Sequence, residues 1–166
     1  MKQIDTTILD ALVEKAKMAP RKRMNHNLHL GPDDPVQRLC NAIEPETYIR
    51  PHRHTDPATI EVFIMLRGSA VLLFFDDAGR VIERNTLSAR GPVIAAEIPP
   101  TTWHAMASLE SGSVFFEVKQ GPYAPLASKD VAAWAPLEGT GEALAAVAWY
   151  LSAKTGDAPP VFRGKS

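Results

Sequence analysis

The sequence predicts a mainly β protein with a single domain and a short helix near each end. Short apolar segments separated by turn residues follow one another from residue 35 to residue 120, a pattern typical of an antiparallel sandwich or barrel. No long helical periodicity interrupts this region, which argues against alternating strands and helices. The 166 residues also suit one domain, since domains most often have about 100–150 residues.

The first predicted unit, residues 1–34, contains a helix and a connector. Apolar residues recur at helical spacing, Asp5 or Thr6 can cap the helix, and Pro20 ends it. Residues 21–34 combine basic side chains with Asn, Gly and Pro, which favours a loop. The apolar positions of the helix are Ile8, Leu9, Leu12, Val13 and Ala16.

The second predicted unit, residues 35–139, contains the barrel and the loop that follows it. Turn signals separate its apolar segments, among them an Arg-Gly pair at Gly68 and the run Asp-Asp-Ala-Gly that ends at Gly79. The predicted strands are 35–43, 47–49, 60–66, 69–75, 80–87, 92–98, 101–108 and 113–119.

The third predicted unit, residues 140–166, contains a C-terminal helix and a tail. Residues 141–154 have helical periodicity, and Gly156 lies where a helix would end. The predicted apolar stripe of this helix consists of Leu144, Val147, Ala148 and Leu151.

Composition excludes several classes of partner and site. Eighteen basic and nineteen acidic residues leave a net charge of −1, so no overall field attracts nucleic acid or anionic lipid. No apolar run reaches the roughly 18 residues that span a bilayer. The single cysteine, Cys40, excludes an internal disulfide and a thiolate-rich zinc site, and it is interpreted as an inert core thiol. With no signal peptide evident, we expect a cytoplasmic protein.

Four residues form a candidate metal site. His52 and His54 are two positions apart, so on a strand both imidazoles point to the same side. Glu61 lies in an otherwise apolar strand, where a carboxylate is costly unless a cation compensates it. His104 begins a later strand. Three imidazoles and one carboxylate suit a divalent ion such as iron, manganese, nickel, zinc or copper. Without a metal, the same histidines would be polar residues in a core.

These residues resemble the two metal-binding motifs of the cupin superfamily. His52-x-His54, Glu61 and Gly68 are similar to the first motif, and the run from Pro99 to His104 is similar to the second. The resemblance implies a double-stranded β-helix, or jelly-roll barrel, that holds the ion inside. Residues 24–139 more closely resemble the small WbuC-type cupins, in the stretches PVQRL, TYIRPHRH, IPPTTWH, EVKQGPY and WAPLEG.

The sequence departs from the cupin pattern at three points. Glu46 replaces the first glycine of the first motif, and Thr101 replaces the glycine of the second. The spacer TDPATI between His54 and Glu61 is longer than usual, which implies a wider turn and leaves open whether Glu61 is a ligand. The missing glycines affect turn geometry rather than ligand chemistry.

Other polar residues are weaker candidates. Glu117, Lys119 and Tyr123 are the remaining groups for acid–base catalysis, although the first two also fit an exposed ion pair. His26 and His29 are interpreted as surface or loop residues rather than ligands. The candidates for substrate binding are Arg38 and Arg50, which also fit surface cations, and Met106, which shares the face of His104.

The resemblance implies a metal-dependent enzyme that acts on a small polar molecule. Its WbuC-type relatives are associated with polysaccharide biosynthesis, which implies a sugar or nucleotide-sugar substrate. Isomerase, epimerase and dioxygenase reactions all occur on this fold. The alternatives are a non-catalytic sensor of a small molecule or metal, and a structural cupin. Because strands 60–66 and 69–75 are apolar on both faces, we also expect a homodimer.

Overall fold

The computed structural model describes residues 1–162, so the last four residues of the predicted tail lie outside the described part. Two helices and eight strands make up this part of the chain, together with one 3-10 turn at Ser128–Asp130. The helices are α1 (Thr6–Met18) and α2 (Glu142–Ser152), and neither is long and apolar enough to cross a membrane. The strands are β1 (Arg23–Asn27), β2 (Val36–Ile43), β3 (Glu61–Arg67), β4 (Ser69–Phe75), β5 (Val81–Ser88), β6 (Ala95–Ile98), β7 (Trp103–Ser108) and β8 (Ser113–Gln120).

Two antiparallel sheets form the body of the protein. The larger sheet has the strand order β1-β2-β8-β3-β6, and the smaller has the order β5-β4-β7. Side chains from both sheets share one core cluster, in which Phe63 and Phe115 of the larger sheet meet Leu72 and Met106 of the smaller. This arrangement confirms the predicted mainly β, jelly-roll architecture.

Strand β4 is buried on both faces. Leu72 and Phe74 point into the core between the sheets, whereas Val71, Leu73 and Phe75 belong to a second cluster that includes α2. The apolar character of both faces of this strand is therefore explained within one chain, because α2 covers its outer face.

Helix α1 has the predicted buried face. The carboxylate of Asp5 caps the helix by accepting a hydrogen bond from the amide of Ile8 at 2.9 Å. The buried residues of α1 pack against Cys40 of β2, and burial raises the pKa of this thiol to about 11, as an inert thiol requires. The buried residues are Leu9, Leu12, Val13 and Ala16.

The predicted stripe of α2 is wrong at three of its four positions. Leu144 is 58% exposed, and Leu151 and Ala148 are exposed as well. Small side chains let the opposite face of the helix approach the smaller sheet, and Tyr150 stacks on Tyr48 with ring centroids 6.0 Å apart. The buried residues of α2 are Ala143, Ala146, Val147 and Tyr150.

Two strand assignments also differ from the structure. Strand β1 lies inside the predicted connector 21–34, because its pairing with β2 places a polar segment at the sheet edge. Residues 47–49 form no strand, and Tyr48 instead packs against α2. The unit boundaries 1–34, 35–139 and 140–166 stay predictions, although β1 joins the larger sheet from within the first unit.

Gly68 is required where β3 turns into β4. Its φ is 70°, in the left-handed region that favours glycine. A Cβ atom here would lie 2.9 Å from the Cα of Ser113, which is too close for any side chain. The glycine of the first motif thus allows the two sheets to approach each other at this corner.

Candidate metal centre

Four side chains converge at one end of the space between the sheets. His52 and His54 come from the extended segment before β3, Glu61 is the first residue of β3, and His104 is the second residue of β7. One ligand atom from each lies within 4.8 Å of the others. The wide turn made by the long spacer therefore still brings Glu61 to the histidines.

Backbone hydrogen bonds fix the segment that carries His52 and His54. The amide of His52 donates to the carbonyl of His104 at 3.1 Å, and the reverse bond is 2.9 Å long. The amide of Arg53 donates to the carbonyl of Asp130 at 3.0 Å, and the amide of Thr101 donates to the carbonyl of His54 at 3.2 Å. The segment thus lies beside β7 in an extended form, with both imidazoles on one side.

Thr101 adopts a backbone conformation that glycine would favour. Its φ is 63°, at the position where the second cupin motif has glycine. For a β-branched residue this left-handed conformation costs about 1–2 kcal/mol. The turn before His104 therefore keeps the shape of the motif without its glycine.

Hydrogen bonds set the tautomers of two histidines. Nδ1 of His52 lies 3.0 Å from the carbonyl oxygen of Arg50, and Nδ1 of His104 lies 2.9 Å from that of Thr102. Because a carbonyl only accepts, each Nδ1 carries the proton when the ring is neutral, and Nε2 presents a lone pair. This is the arrangement that orients imidazoles as metal ligands.

Two imidazole nitrogens face the carboxylate of Glu61. Nε2 of His104 lies 3.1 Å from Oε2 of Glu61, and Nε2 of His54 lies 3.1 Å from Oε1 of the same carboxylate. Both imidazole atoms and Oε2 are buried, and none of the three has a hydrogen-bond partner among residues 1–162. Buried electron-rich atoms at this distance are costly unless a cation lies among them.

The protonation states at neutral pH suit ligands. Burial, reinforced by the neighbouring His104, lowers the pKa of His52 to about 3 and keeps its imidazole neutral. Burial alone would raise the pKa of Glu61, but neighbouring groups, among them the ammonium of Lys119 3.1 Å from Oε1, outweigh burial and hold the pKa well below its usual value. Glu61 is therefore a carboxylate.

The donor set fits a first-row divalent ion. Such ions bind imidazole nitrogen and carboxylate oxygen at about 2.0–2.2 Å. Two donors 3.1 Å apart, as Glu61 and His104 are, can both reach one ion at these distances. The four residues thus form a group that could hold a metal.

A polar cluster adjoins this group on the larger sheet. Nζ of Lys119 lies 3.1 Å from Oε1 of Glu61 and 3.2 Å from Oε1 of Glu117. Asn41 donates a hydrogen bond to Oε2 of Glu117 at 2.9 Å. Burial raises the pKa of Glu117 despite the nearby ammonium group. The cluster therefore offers a carboxyl group able to exchange a proton beside the metal ligands.

The site opens into a cavity of about 170 Å³. Its walls combine the polar cluster with apolar side chains from both sheets. The predicted residues Met106, Glu117 and Lys119 lie here, beside His52, Glu61 and His104. The remaining lining residues are Arg23, Asn41, Ile43, Ile49, Phe63 and Phe115.

Other predicted residues lie elsewhere. Arg38 points away from the cavity and pairs with Asp34 at 2.6 Å, and Arg50 donates to the carbonyl of Ala132 at 2.7 Å beside α2. Tyr123 is 53% exposed and lines a neighbouring groove. The structure therefore does not bring Arg38, Arg50 or Tyr123 to the four-residue group.

The remaining histidines are also outside the group. His26 is exposed on β1, and Nδ1 of His29 accepts a hydrogen bond from the amide of Arg38 at 3.0 Å. Arg23 and Asn41 also line the cavity, although the sequence analysis does not predict them as site residues. For Asn41 the available signal was a polar residue between two apolar ones in a strand.

Three known structures resemble this chain to different degrees. A mutant salicylate 1,2-dioxygenase from Pseudoaminobacter salicylatoxidans, in complex with gentisate, has a TM-score of 0.54 at 11% identity, covering 72% of this chain and 33% of that one. KdgF from Halomonas sp. has a TM-score of 0.49 at 19% identity, covering 64% and 84%. A cupin superfamily protein from Desulfitobacterium hafniense DCB-2 has a TM-score of 0.47 at 16% identity, covering 59% and 76%.

Sequence comparisons place the chain in a family. No curated protein matches it. The family model described as "Domain of unknown function (DUF6016)" matches residues 4–87, which is half of the chain. The matched residues include α1, strands β1 to β4 and all of β5 except its last residue. They also include three of the four residues of the candidate metal centre. The chain therefore belongs to the DUF6016 family and has the single-domain cupin fold.

Proposed function

We propose that this chain is a cupin-fold metalloprotein that binds one divalent first-row metal ion through His52, His54, Glu61 and His104. The observation that carries the proposal is the buried contact between Nε2 of His104 and Oε2 of Glu61, which lie 3.1 Å apart and have no hydrogen-bond partners in the described part of the chain. A cation accounts for it, because two unpartnered electron-rich atoms would otherwise repel each other in a buried place.

The protein is, in this proposal, an enzyme that acts on a small polar substrate. When bound, the ion supplies Lewis-acid chemistry or a site for dioxygen. Glu117 holds or accepts the proton that moves during the reaction, since its raised pKa and its place beside the ligands suit a general acid–base group. Lys119 bridges Glu117 and Glu61 and keeps both carboxylates in place. The exposed Tyr123 is a weaker catalytic candidate.

Two classes of reaction are proposed for this enzyme. One is isomerisation or epimerisation, and the other is dioxygenation. The resemblance to WbuC-type cupins supports a sugar or nucleotide-sugar substrate and a role in polysaccharide biosynthesis. A non-catalytic sensor of a small molecule or metal is the alternative. The polar cluster beside the ligands favours the enzyme, because a sensor or structural site has no need for a buried carboxyl group with a raised pKa.

Metal removal tests the proposal. Protein purified without a histidine tag is expected to contain about one equivalent of a first-row metal by mass spectrometry. Removing it with a chelator should lower the Tm, because an ion that binds only the folded state stabilises that state. Returning iron, manganese, nickel or zinc one at a time identifies the ion that restores the Tm. Wild-type protein that neither contains nor takes up any of these metals would refute the proposal.

We also propose that the chain forms a homodimer through the outer face of β3. Val62 and Ile64 are partly exposed on β3, and Ile60 just before the strand and Leu66 at its β-bulge are 42% and 37% exposed. Light scattering after size exclusion should give about 36 kDa, twice the 18.1 kDa of one chain. Leu66→Lys should return it to the monomer, whereas the matched change Ile82→Lys on β5 should not. A wild type that is monomeric in this measurement would refute the proposed homodimer.

A further inference from the structure

The inner face of the larger sheet carries a polar strip where a core would be apolar. Residues that pair directly across antiparallel strands lie on the same face. Lys119 pairs with Glu61, Asn41 pairs with Phe115 of the core, and Asn25 pairs with Asn41. Polar side chains therefore run across β3, β8, β2 and β1, a distance of about 14 Å at the usual strand spacing.

Two cavities adjoin along this strip. The cavity of about 170 Å³ contains the proposed metal ligands, and a groove of about 550 Å³ lies beside it toward β1. Small-molecule sites usually measure about 300–1,000 Å³, so the smaller cavity holds only one end of a ligand and the groove can hold the remainder. The residues common to both are Arg23, Asn41, Glu117 and Lys119.

The groove offers uncharged hydrogen-bonding groups. Nδ2 of Asn25 donates to Oδ1 of Asn27 at 2.6 Å, which leaves a carbonyl oxygen on the first and an amide group on the second. Asn41 uses its amide group on Glu117 and keeps its oxygen. Paired donors and acceptors of this kind match hydroxyl groups, which both donate and accept.

The charge at the other end favours an anion. The carboxylates of Glu61 and Glu117 face the ammonium of Lys119, and Arg23 shares the carboxylate of Glu138, 2.8 Å away, with Arg21. With the divalent ion of the proposed function and both carboxylates ionised, the ion, Glu61, Glu117 and Lys119 together carry one net positive charge, to which the partly paired Arg23 adds. A carboxylate placed there would offset this positive charge.

We propose that the groove is the binding site for the hydroxyl-rich body of an elongated carboxylate, a sugar acid larger than one monosaccharide, whose carboxylate end lies in the cavity. This inference rests on the proposed metal binding. Asn25 and Asn27 bind hydroxyl groups at the far end of the strip, and Asn41 binds near the junction.

The test uses lactobionate, a disaccharide acid, as the probe. It is titrated into zinc-loaded, ¹⁵N-labelled full-length protein, with binding followed by the side-chain amide signals of Asn25, Asn27 and Asn41. Asn25→Ala and Asn27→Ala should each weaken lactobionate about 3- to 10-fold. Gluconate, which lacks the second sugar, should bind these variants and the wild type equally well, and lactose, which lacks the carboxylate, should bind more weakly than lactobionate. Asn85→Ala is the matched control, because Asn85 also donates to a side chain two residues away, on Glu83, and lines neither cavity.

Zinc content, measured separately on every variant, distinguishes the two proposals. If the protein binds one equivalent of zinc but no lactobionate, the groove proposal is refuted and the proposed metal binding stands. Equal affinity of the wild type, Asn25→Ala and Asn27→Ala for lactobionate also overturns it. A wild type without zinc uptake refutes the proposed function, and the groove proposal falls with it.

Discussion

Replacing His104 with alanine is expected to abolish metal binding while the barrel stays folded. His104 is 2% exposed, its Nδ1 is held by the carbonyl of Thr102, and its Nε2 faces Glu61 at 3.1 Å. Loss of residues that only support a ligand weakens metal binding about 10- to 100-fold, so loss of a ligand should weaken it by at least about 100-fold. The backbone bonds between His104 and His52 do not depend on the imidazole and remain.

Metal content and thermal unfolding measure this outcome together. At a metal concentration 100 times the Kd, binding adds about 2.7 kcal/mol of stability, which raises the Tm of a chain of this length by about 5–11 °C. His104→Ala should show no such rise. His104→Gln, which fills the same space, provides a second variant if the alanine variant folds poorly.

The matched control is His26→Ala, which removes an imidazole exposed on β1. It should bind metal as the wild type does. The assignment of His104 as a ligand is wrong if His104→Ala and His104→Gln both keep the metal content and the metal-dependent Tm of the wild type.

Local sequence patterns predicted the parts of the site that depend on local geometry. His52 and His54 share one side because alternation in an extended segment puts them there, whatever the segment pairs with. The strands of the core are predictable because short apolar segments bounded by turn residues are typical of buried strands. Glu61 is predictable as a site residue because a carboxylate in an apolar strand needs a compensating cation.

The parts that were missed depend on pairing between distant residues. Strand β1 has the sequence RMNHN, without apolar alternation, and only its register with β2 makes it a strand. The same register brings Asn25 opposite Asn41 and opens the groove. The predicted buried face of α2 is wrong because apolar character alone favours Leu144, whereas packing on the sheet requires small side chains that permit close approach.

Replacing Leu73 with alanine should destabilise the fold about as much as replacing Leu72. Both side chains are fully buried, but Leu72 points between the sheets and Leu73 points toward α2. Removing a buried leucine side chain costs about 2–5 kcal/mol, because the lost burial and the remaining cavity both count. For a chain of this length the Tm should fall by about 4–20 °C. Unfolding is followed in the presence of a chelator, so that metal binding does not mask the change.

Leu144→Ala provides the matched control, because the same atoms are removed from a side chain that is 58% exposed. Its stability should change by less than about 0.5 kcal/mol. A Leu73→Ala variant as stable as Leu144→Ala would mean that α2 leaves the outer face of β4 uncovered in solution. That face would then be open to another chain, and the apolar residues of β4 would again support association through the smaller sheet. A large loss at Leu73 instead confines any dimer interface to surfaces such as the outer face of β3.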